Sequence, residues 1–217
     1  ADFNRPLAET IKGFHNIRWR FGQWDECLAR DAAGRRASVA REIEWIESRR
    51  GEMSSFWALV ENGTIPMRVT HNDTKISNIL FDAAGNVMCV IDLDTVMSST
   101  SLNDFGDAIR SYANTGAEDD RNPDNVSLDM EMYRAYTEGY LSQRRSTLVG
   151  SELEHLAFSA RYITYEQVLR FLMDYIDGDV YYKVNAPDHN LVRTRAQYRL
   201  LQSMEEHYDE MCGVVAE

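Results

Sequence analysis

Cysteine is scarce: Cys27, Cys89 and Cys212 are the only three in 217 residues. They lie far apart and match no metal-ligand spacing. This excludes a disulfide scaffold or a small zinc module and leads us to expect free thiols in a reducing cytoplasm. No run of about 18 apolar residues occurs, so no transmembrane helix is expected. The opening Ala1-Asp-Phe-Asn-Arg-Pro6 lacks the basic and apolar blocks of a secretory signal, and it lacks an initiating Met, as expected of a processed or cut chain. Cations are in deficit. Lys and Arg total 23 against 35 Asp and Glu, a formal charge of −12. An acidic chain is repelled by nucleic acid and by anionic lipid, which excludes both as main partners. It does not exclude a nucleotide, because Mg²⁺ bridges carboxylates to phosphates. A C-x-P-x-R segment is also missing, since Cys27-Leu-Ala-Arg30 has neither the Pro nor the spacing. That sets aside sulfatase chemistry.

The chain does contain helical pattern over most of its length. The aromatic-rich start predicts a helix near Leu7–His15 and then a loop, with Phe3, Phe14, Trp19, Phe21 and Trp24 packing beneath a lobe, or else with Arg18 and Arg20, which flank Trp19, touching a substrate. Val39, Ile43 and Ile46 share one helical face. A second helix is predicted over Met53–Glu61, ended by Asn62-Gly63, before a strand at Met67–Thr70. Two apolar runs, Ile79–Phe81 and Val87–Ile91, flank Asp82-Ala-Ala-Gly-Asn86 and predict a β-hairpin. A polar loop is expected over Met97–Asn103. Helices then follow from Asp104, from Ser127, from a capping box at Ser151-Glu-Leu-Glu154 to about Ile176, and from Leu191 to Met211. The expected class is mainly α with one small β-hairpin, α+β, in which the hairpin carries polar residues rather than serving as scaffold.

The chemistry lies around that hairpin. His71-Asn-Asp73 followed by Asn78 reads H-x-D-x4-N, the Asp-to-Asn interval of a kinase catalytic loop. In phosphoryl transfer one carboxylate accepts the hydroxyl proton, while an amide oxygen and a second carboxylate hold the metal ion on the phosphates. Asp73 suits the first role; Asn78 and Asp92 suit the second. Antiparallel pairing brings Asn78, at the start of one strand, close to Asp92, at the end of the other. A carboxylate after an apolar strand must be solvated, paired or metal-bound. By strand alternation Asp94 points the same way as Asp92. His71 is expected to orient the loop through a backbone carbonyl, and Lys75 to reach a transferred phosphate or remain solvated. Asp104-Phe105-Gly106 is set aside as a D-F-G mimic. It does not follow the strand that ends at Asp92, so Asp104 and Asp107 are expected to cap a helix or pair with Arg110. Arg170, Tyr181, Tyr182 and His189 form a softer polar cluster suited to a small ligand.

These segments resemble the aminoglycoside phosphotransferase and choline kinase superfamily, whose fold is similar to that of protein kinases. Four of them, His71–Asn78, Val90–Val96, Asp104–Asp107 and Arg170–Tyr182, together with His189-Asn-Leu191, look closest to the N-acetylhexosamine 1-kinases. The resemblance runs from about residue 60 to the C-terminus. It implies ATP and Mg²⁺ as cofactors and the anomeric hydroxyl of an N-acetylhexosamine as acceptor. It also implies Asp73 as base, Asn78 and Asp92 on the metal, and Asp73, Thr95, Arg170 and Tyr181 at the sugar. Asp94 is assigned to the metal or to a sugar hydroxyl. Such enzymes carry a sheet-rich nucleotide lobe with a strand lysine before this point. The helical, aromatic residues ahead of His71 have none, so the chain is expected to be the C-terminal lobe of a longer protein. The alternatives are another acceptor, such as choline, homoserine or an aminoglycoside, and a non-catalytic sugar-binding lobe.

Overall fold

The computed structural model describes residues 7–217. Nine α-helices occur among them: α1 (Ile17–Arg30), α2 (Ala40–Glu47), α3 (Arg50–Glu61), α4 (Ser101–Tyr112), α5 (Met130–Arg144), α6 (Gly150–Glu154), α7 (Leu156–Asp177), α8 (His189–Glu206) and α9 (Tyr208–Ala216). Four short strands form two antiparallel pairs. β1 (Arg68–Thr70) pairs with β4 (Met97–Ser99), and β2 (Ile79–Phe81) pairs with β3 (Val87–Val90). The mainly α, α+β class and the hairpin are therefore as the sequence predicts.

Helix α7 is the axis of the molecule. It is buried around its whole circumference, as expected of a helix without a continuous polar face. It packs chiefly on α8 and α4, with α1, α2 and α9 completing its surround. The contact with α4 is very close. A Cβ on Gly106 would overlap the backbone carbonyl of Ser159, so only glycine fits there. Gly178, at φ 98°, ends α7 in the left-handed conformation that glycine adopts without strain.

Several expectations need correction. Leu7–His15 is not helical; it runs as a strap of turns, and the helix comes after it. Gly13 sits at φ 63° beneath Trp19, and the Asn16 side chain accepts from Trp19 N at 3.1 Å, so the helical start moves to residue 17. Ile17, Phe21, Trp24 and Cys27 then form the buried face, which turns Trp19 outward, 39% exposed; Phe3 lies outside the described residues. Residues 97–99 form β4 rather than a loop. The strand is polar and only three residues long, so its pairing with β1 is a tertiary fact with no local period to reveal it. The box at Ser151 does not form. The Ser151 hydroxyl donates to Thr64 O at 2.7 Å, while Glu152 accepts from Val149 N at 2.9 Å. The long helix begins only at Leu156. The last predicted helix is two, α8 and α9, meeting at His207, whose ring bonds back to Ser203 O at 2.8 Å. All three cysteines are free thiols. No helix among the described residues is long and apolar enough to cross a membrane.

Candidate active site

Strand β1 delivers the chain to a tight loop at Asn72, which lies at φ 66°. A non-glycine residue holds this conformation only when its surroundings fix it. Here every polar atom of Asn72 is engaged. Its N–H donates to Asp104 Oδ1 at 2.7 Å and its Nδ2 to Thr95 O at 3.0 Å. Its Oδ1 accepts from Thr70 Oγ1 at 3.0 Å, and its carbonyl accepts from His15 Nε2 at 2.9 Å. The backbone that leads into Asp73 is thus held from four directions.

Asp73 and Asn78 are in direct contact. Asn78 Nδ2 donates to Asp73 Oδ2 at 2.8 Å and to the Asp73 carbonyl at 2.9 Å. Asn78 is buried, and its Oδ1 is the atom that these bonds leave over. Lys75 Nζ donates to the same Asp73 Oδ2 at 2.6 Å. Burial by itself lowers the Lys75 pKa; the bond to Asp73, with the charges of Asp92 and Asp107 behind it, outweighs burial and raises it. The arrangement leaves Asp73 Oδ1 open.

Asp92 is brought in through the hairpin. The register pairs Ile79 with Val90, and the next bond runs from Ile91 N to Asn78 O at 2.9 Å. Ile91 O in turn accepts from His71 Nε2 at 3.1 Å, while His71 Nδ1 accepts from Asp73 N at 3.3 Å. His71 therefore acts as the loop-orienting histidine, and the Nε2–H tautomer satisfies both bonds. The residue after Ile91 is Asp92, exposed and at φ 62°. This positive φ ends the strand. Residues 93–95 form a 3-10 turn, so the strand alternation that placed Asp94 beside Asp92 does not apply. Asp94 is exposed, and its carbonyl accepts from Thr10 Oγ1 at 3.1 Å. Thr95 is buried and its hydroxyl donates to His71 O at 2.7 Å, bracing the loop.

Asp104 does not cap its helix or pair with Arg110. Helix α4 starts earlier, at Ser101 after Thr100, which places Asp104 one turn in and under the loop. Its two oxygens accept from His71 N at 3.0 Å and Asn72 N at 2.7 Å. Burial pushes its carboxyl pKa up, against the two amides, which pull it down. Asp107 does pair with Arg110, at 2.9 Å.

Arg170 and Tyr181 come together at a different point. With Arg20, Gln23, Asp174 and Tyr182 they line a cavity of about 230 Å³. Arg170 stacks over the rings of Phe14, Tyr182 and Tyr181 at 5.2, 5.6 and 6.0 Å. Asp174 fixes the pocket wall by accepting from the amides of Val180, Tyr181 and Tyr182. Burial, partly offset by Arg170, pushes the Tyr182 hydroxyl up to about 12. His189 lies apart, bonded to Asp119 at 2.8 Å. The Asp73 loop is tied toward the pocket by His15, which spans Asn72 and Glu166; the other oxygen of Glu166 lies 3.5 Å from Nε of Arg20, which lines the pocket. Of the residues that fix the loop, Asn72 and Asp104 stand inside or beside motifs visible in the sequence. His15 and Glu166, 151 positions apart, carry no local signal.

No group of three His, Cys, Asp or Glu side chains among the described residues could hold a metal by itself. The donors that are present, Asn78 Oδ1 and the Asp92 carboxylate, are hard oxygens. They suit Mg²⁺, which takes one or two protein ligands and completes its shell with phosphate and water.

A helical lobe that presents a loop Asp, a touching Asn and a carboxylate at a hairpin end is built as a phosphotransferase of the small-molecule kinase kind. The sequence model of the phosphotransferase enzyme family matches residues 4–147, and the chain belongs to that family. The match takes in the strap, His71–Asn78, Asp92 and Asp104. Arg170 and Tyr181 lie beyond the matched residues.

Proposed function

We propose that this chain is the catalytic lobe of an ATP- and Mg²⁺-dependent sugar kinase, acting on the anomeric hydroxyl of an N-acetylhexosamine. The observation that carries the proposal is the 2.8 Å contact between Asp73 Oδ2 and Asn78 Nδ2, with Asn78 tied through Ile91 to Asp92. In this reading Asp73 accepts the hydroxyl proton of the acceptor at its open Oδ1. Asn78 and Lys75 hold the other oxygen and so fix the carboxylate's direction. Asn78 Oδ1 and the Asp92 carboxylate hold Mg²⁺, which when bound neutralises charge on the phosphates. Lys75, 2.6 Å from Asp73 Oδ2, is assigned to a phosphate oxygen as well.

Arg170, Tyr181, Thr95 and the exposed Asp94 are assigned to the acceptor, Thr95 also bracing the loop through the bond from its hydroxyl to His71 O. Two guanidiniums and two tyrosines line the pocket together with Asp174 and Asp177, whose carboxylates are taken up by three amides and by Arg30, so the lining suits a neutral polyhydroxyl ligand better than a cation such as choline or an aminoglycoside. The hairpin gives the reading for the nucleotide side. Its apolar side chains stand in solvent, from 37% exposed at Ile91 to 67% at Met88. A surface of that kind is suited to being covered. We assign it to a nucleotide-binding lobe of the same protein.

The test is a panel of free sugars and amino alcohols with radiolabelled ATP and the intact gene product. The expected result is phosphate on C1 of N-acetylhexosamines, lost in Asp73→Asn. Transfer only to choline or to aminoglycosides overturns the acceptor, and transfer retained in Asp73→Asn overturns the base.

A further inference from the structure

The strap ahead of α1 places one histidine in an unusual position. His15 is buried, with Nδ1 2.7 Å from Glu166 Oε2 and Nε2 2.9 Å from the Asn72 carbonyl. Both partners only accept hydrogen bonds. A neutral ring has one N–H and leaves one contact without a proton; the imidazolium satisfies both. Glu166 is itself buried in α7, with Arg20 Nε 3.5 Å away on its other oxygen. The carboxylate is thus the counter-ion that keeps a charged ring tolerable in the interior.

The far end of this chain of bonds is the carbonyl of the residue before Asp73. Asn72 is the left-handed residue of the loop, and rotation of its peptide swings Asp73. The Asp104 carboxylate fixes the peptide on its N-terminal side; on the Asp73 side His15 holds the carbonyl at 2.9 Å, the shorter of two bonds, and His71 Nδ1 accepts from the N–H at 3.3 Å. The strap is itself anchored near the site. Leu7 N donates to Ser98 Oγ at 2.7 Å, Thr10 Oγ1 reaches Asp94 O, and Tyr162 Oη donates to His15 O at 2.7 Å.

We propose that His15 is a positioning residue for phosphoryl transfer: its imidazolium, clamped between Glu166 and the Asn72 carbonyl, holds the peptide that aims Asp73. The assignment rests on Asp73 as the base. It makes the N-terminal strap part of the catalytic apparatus, and it couples the acceptor pocket, through Arg20 and Glu166, to the direction of the base. A misplacement of about 1 Å in a reacting group costs on the order of 100-fold in rate.

The experiment compares the intact gene product with its His15→Leu/Glu166→Leu variant, which removes both charges together and leaves no lone buried ion, and with His15→Gln/Glu166→Leu, which returns one donor toward Asn72. In the Leu/Leu variant kcat is expected to fall about 100-fold, with both KM values within about twofold of the parent. Amide exchange at residues 72–74 is expected to quicken about 10-fold while α7 amides keep their protection. The Gln/Leu variant is expected to regain about 10-fold of the lost kcat. Nitrogen NMR of the parent is expected to show both His15 ring nitrogens protonated at neutral pH. A kcat within about twofold of the parent, a neutral ring, or unchanged exchange at 72–74 overturns the proposal. So does exchange that quickens equally in α7, which makes the pair a mere brace of the core. If the parent transfers no phosphate at all, the reading of Asp73 fails, and the exchange data still decide whether His15 holds the loop.

Discussion

Asp104 of α4 holds the loop that carries Asp73 by its backbone: one carboxylate oxygen accepts from His71 N at 3.0 Å and the other from Asn72 N at 2.7 Å. Two charge-assisted bonds on successive amides fix a peptide plane as a single bond cannot. Asp104→Asn keeps the volume but presents an N–H₂ to one of the two amides. The variant is expected to lose about 1–3 kcal/mol of stability, read from urea midpoints. It is also expected to lose at least about 10-fold in kcat, because the peptide that directs Asp73 is released.

The loop depends equally on how closely α4 approaches α7. A methyl group on Gly106 has no space beside the Ser159 carbonyl, which is backbone and cannot swing aside. Gly106→Ala is therefore expected to push the helices apart and destabilise by about 1–3 kcal/mol. The displacement carries Asp104 with it, so kcat is expected to fall further than the loss of folded protein explains. Thermal melts and activity measured well below the melting point separate the two effects.

Much of this arrangement was legible in the sequence, and the division has a physical cause. The hairpin and the contact of Asp73 with Asn78 were readable because turn residues, apolar runs and the H-x-D-x4-N spacing are local signals. Asp104 was misjudged because its partners are backbone amides 32 and 33 residues away, and no side-chain pattern records where an amide points. The shift of the first helix from 7–15 to α1 turned on Gly13 and the Asn16 cap, two residues that outweighed an ambiguous aromatic pattern. β4 and His15 were invisible for the same reason: each acts only through a partner distant in the chain.

In the pocket proposed for the acceptor, Arg170 is buried and sandwiched among aromatic rings, so its guanidinium is pre-set rather than mobile. Lysine cannot replace that planar, stacked geometry. Arg170→Lys is expected to raise the acceptor KM by about 10-fold or more while the ATP KM stays within about twofold, the pattern for loss of an interaction made to one substrate. Steady-state kinetics with each substrate varied in turn makes the check.

The His15–Glu166 pair also sets a pH dependence of stability. Burial acts against the charge on both groups. The carboxylate and its bond nevertheless raise His15 above its ordinary 6.5, with the Asn72 carbonyl adding to the rise and Arg170 opposing it. His15, with Arg20 and Arg170, lowers Glu166 below its ordinary 4.5. Tyr162 and Asp104 also face the pair, Tyr162 bonded through its hydroxyl to the His15 carbonyl. A histidine with a raised folded value contributes stability that is full below 6.5 and is lost as pH rises through that folded value. A carboxylate with a lowered folded value contributes stability that is full above 4.5 and is lost as pH falls through its own. The pair's contribution is therefore greatest between 4.5 and 6.5 and declines on both sides. Urea midpoints of the parent minus those of His15→Leu/Glu166→Leu, taken across pH, are expected to trace that plateau. A difference that keeps rising above neutral pH means that the ring carries no charge in the folded chain.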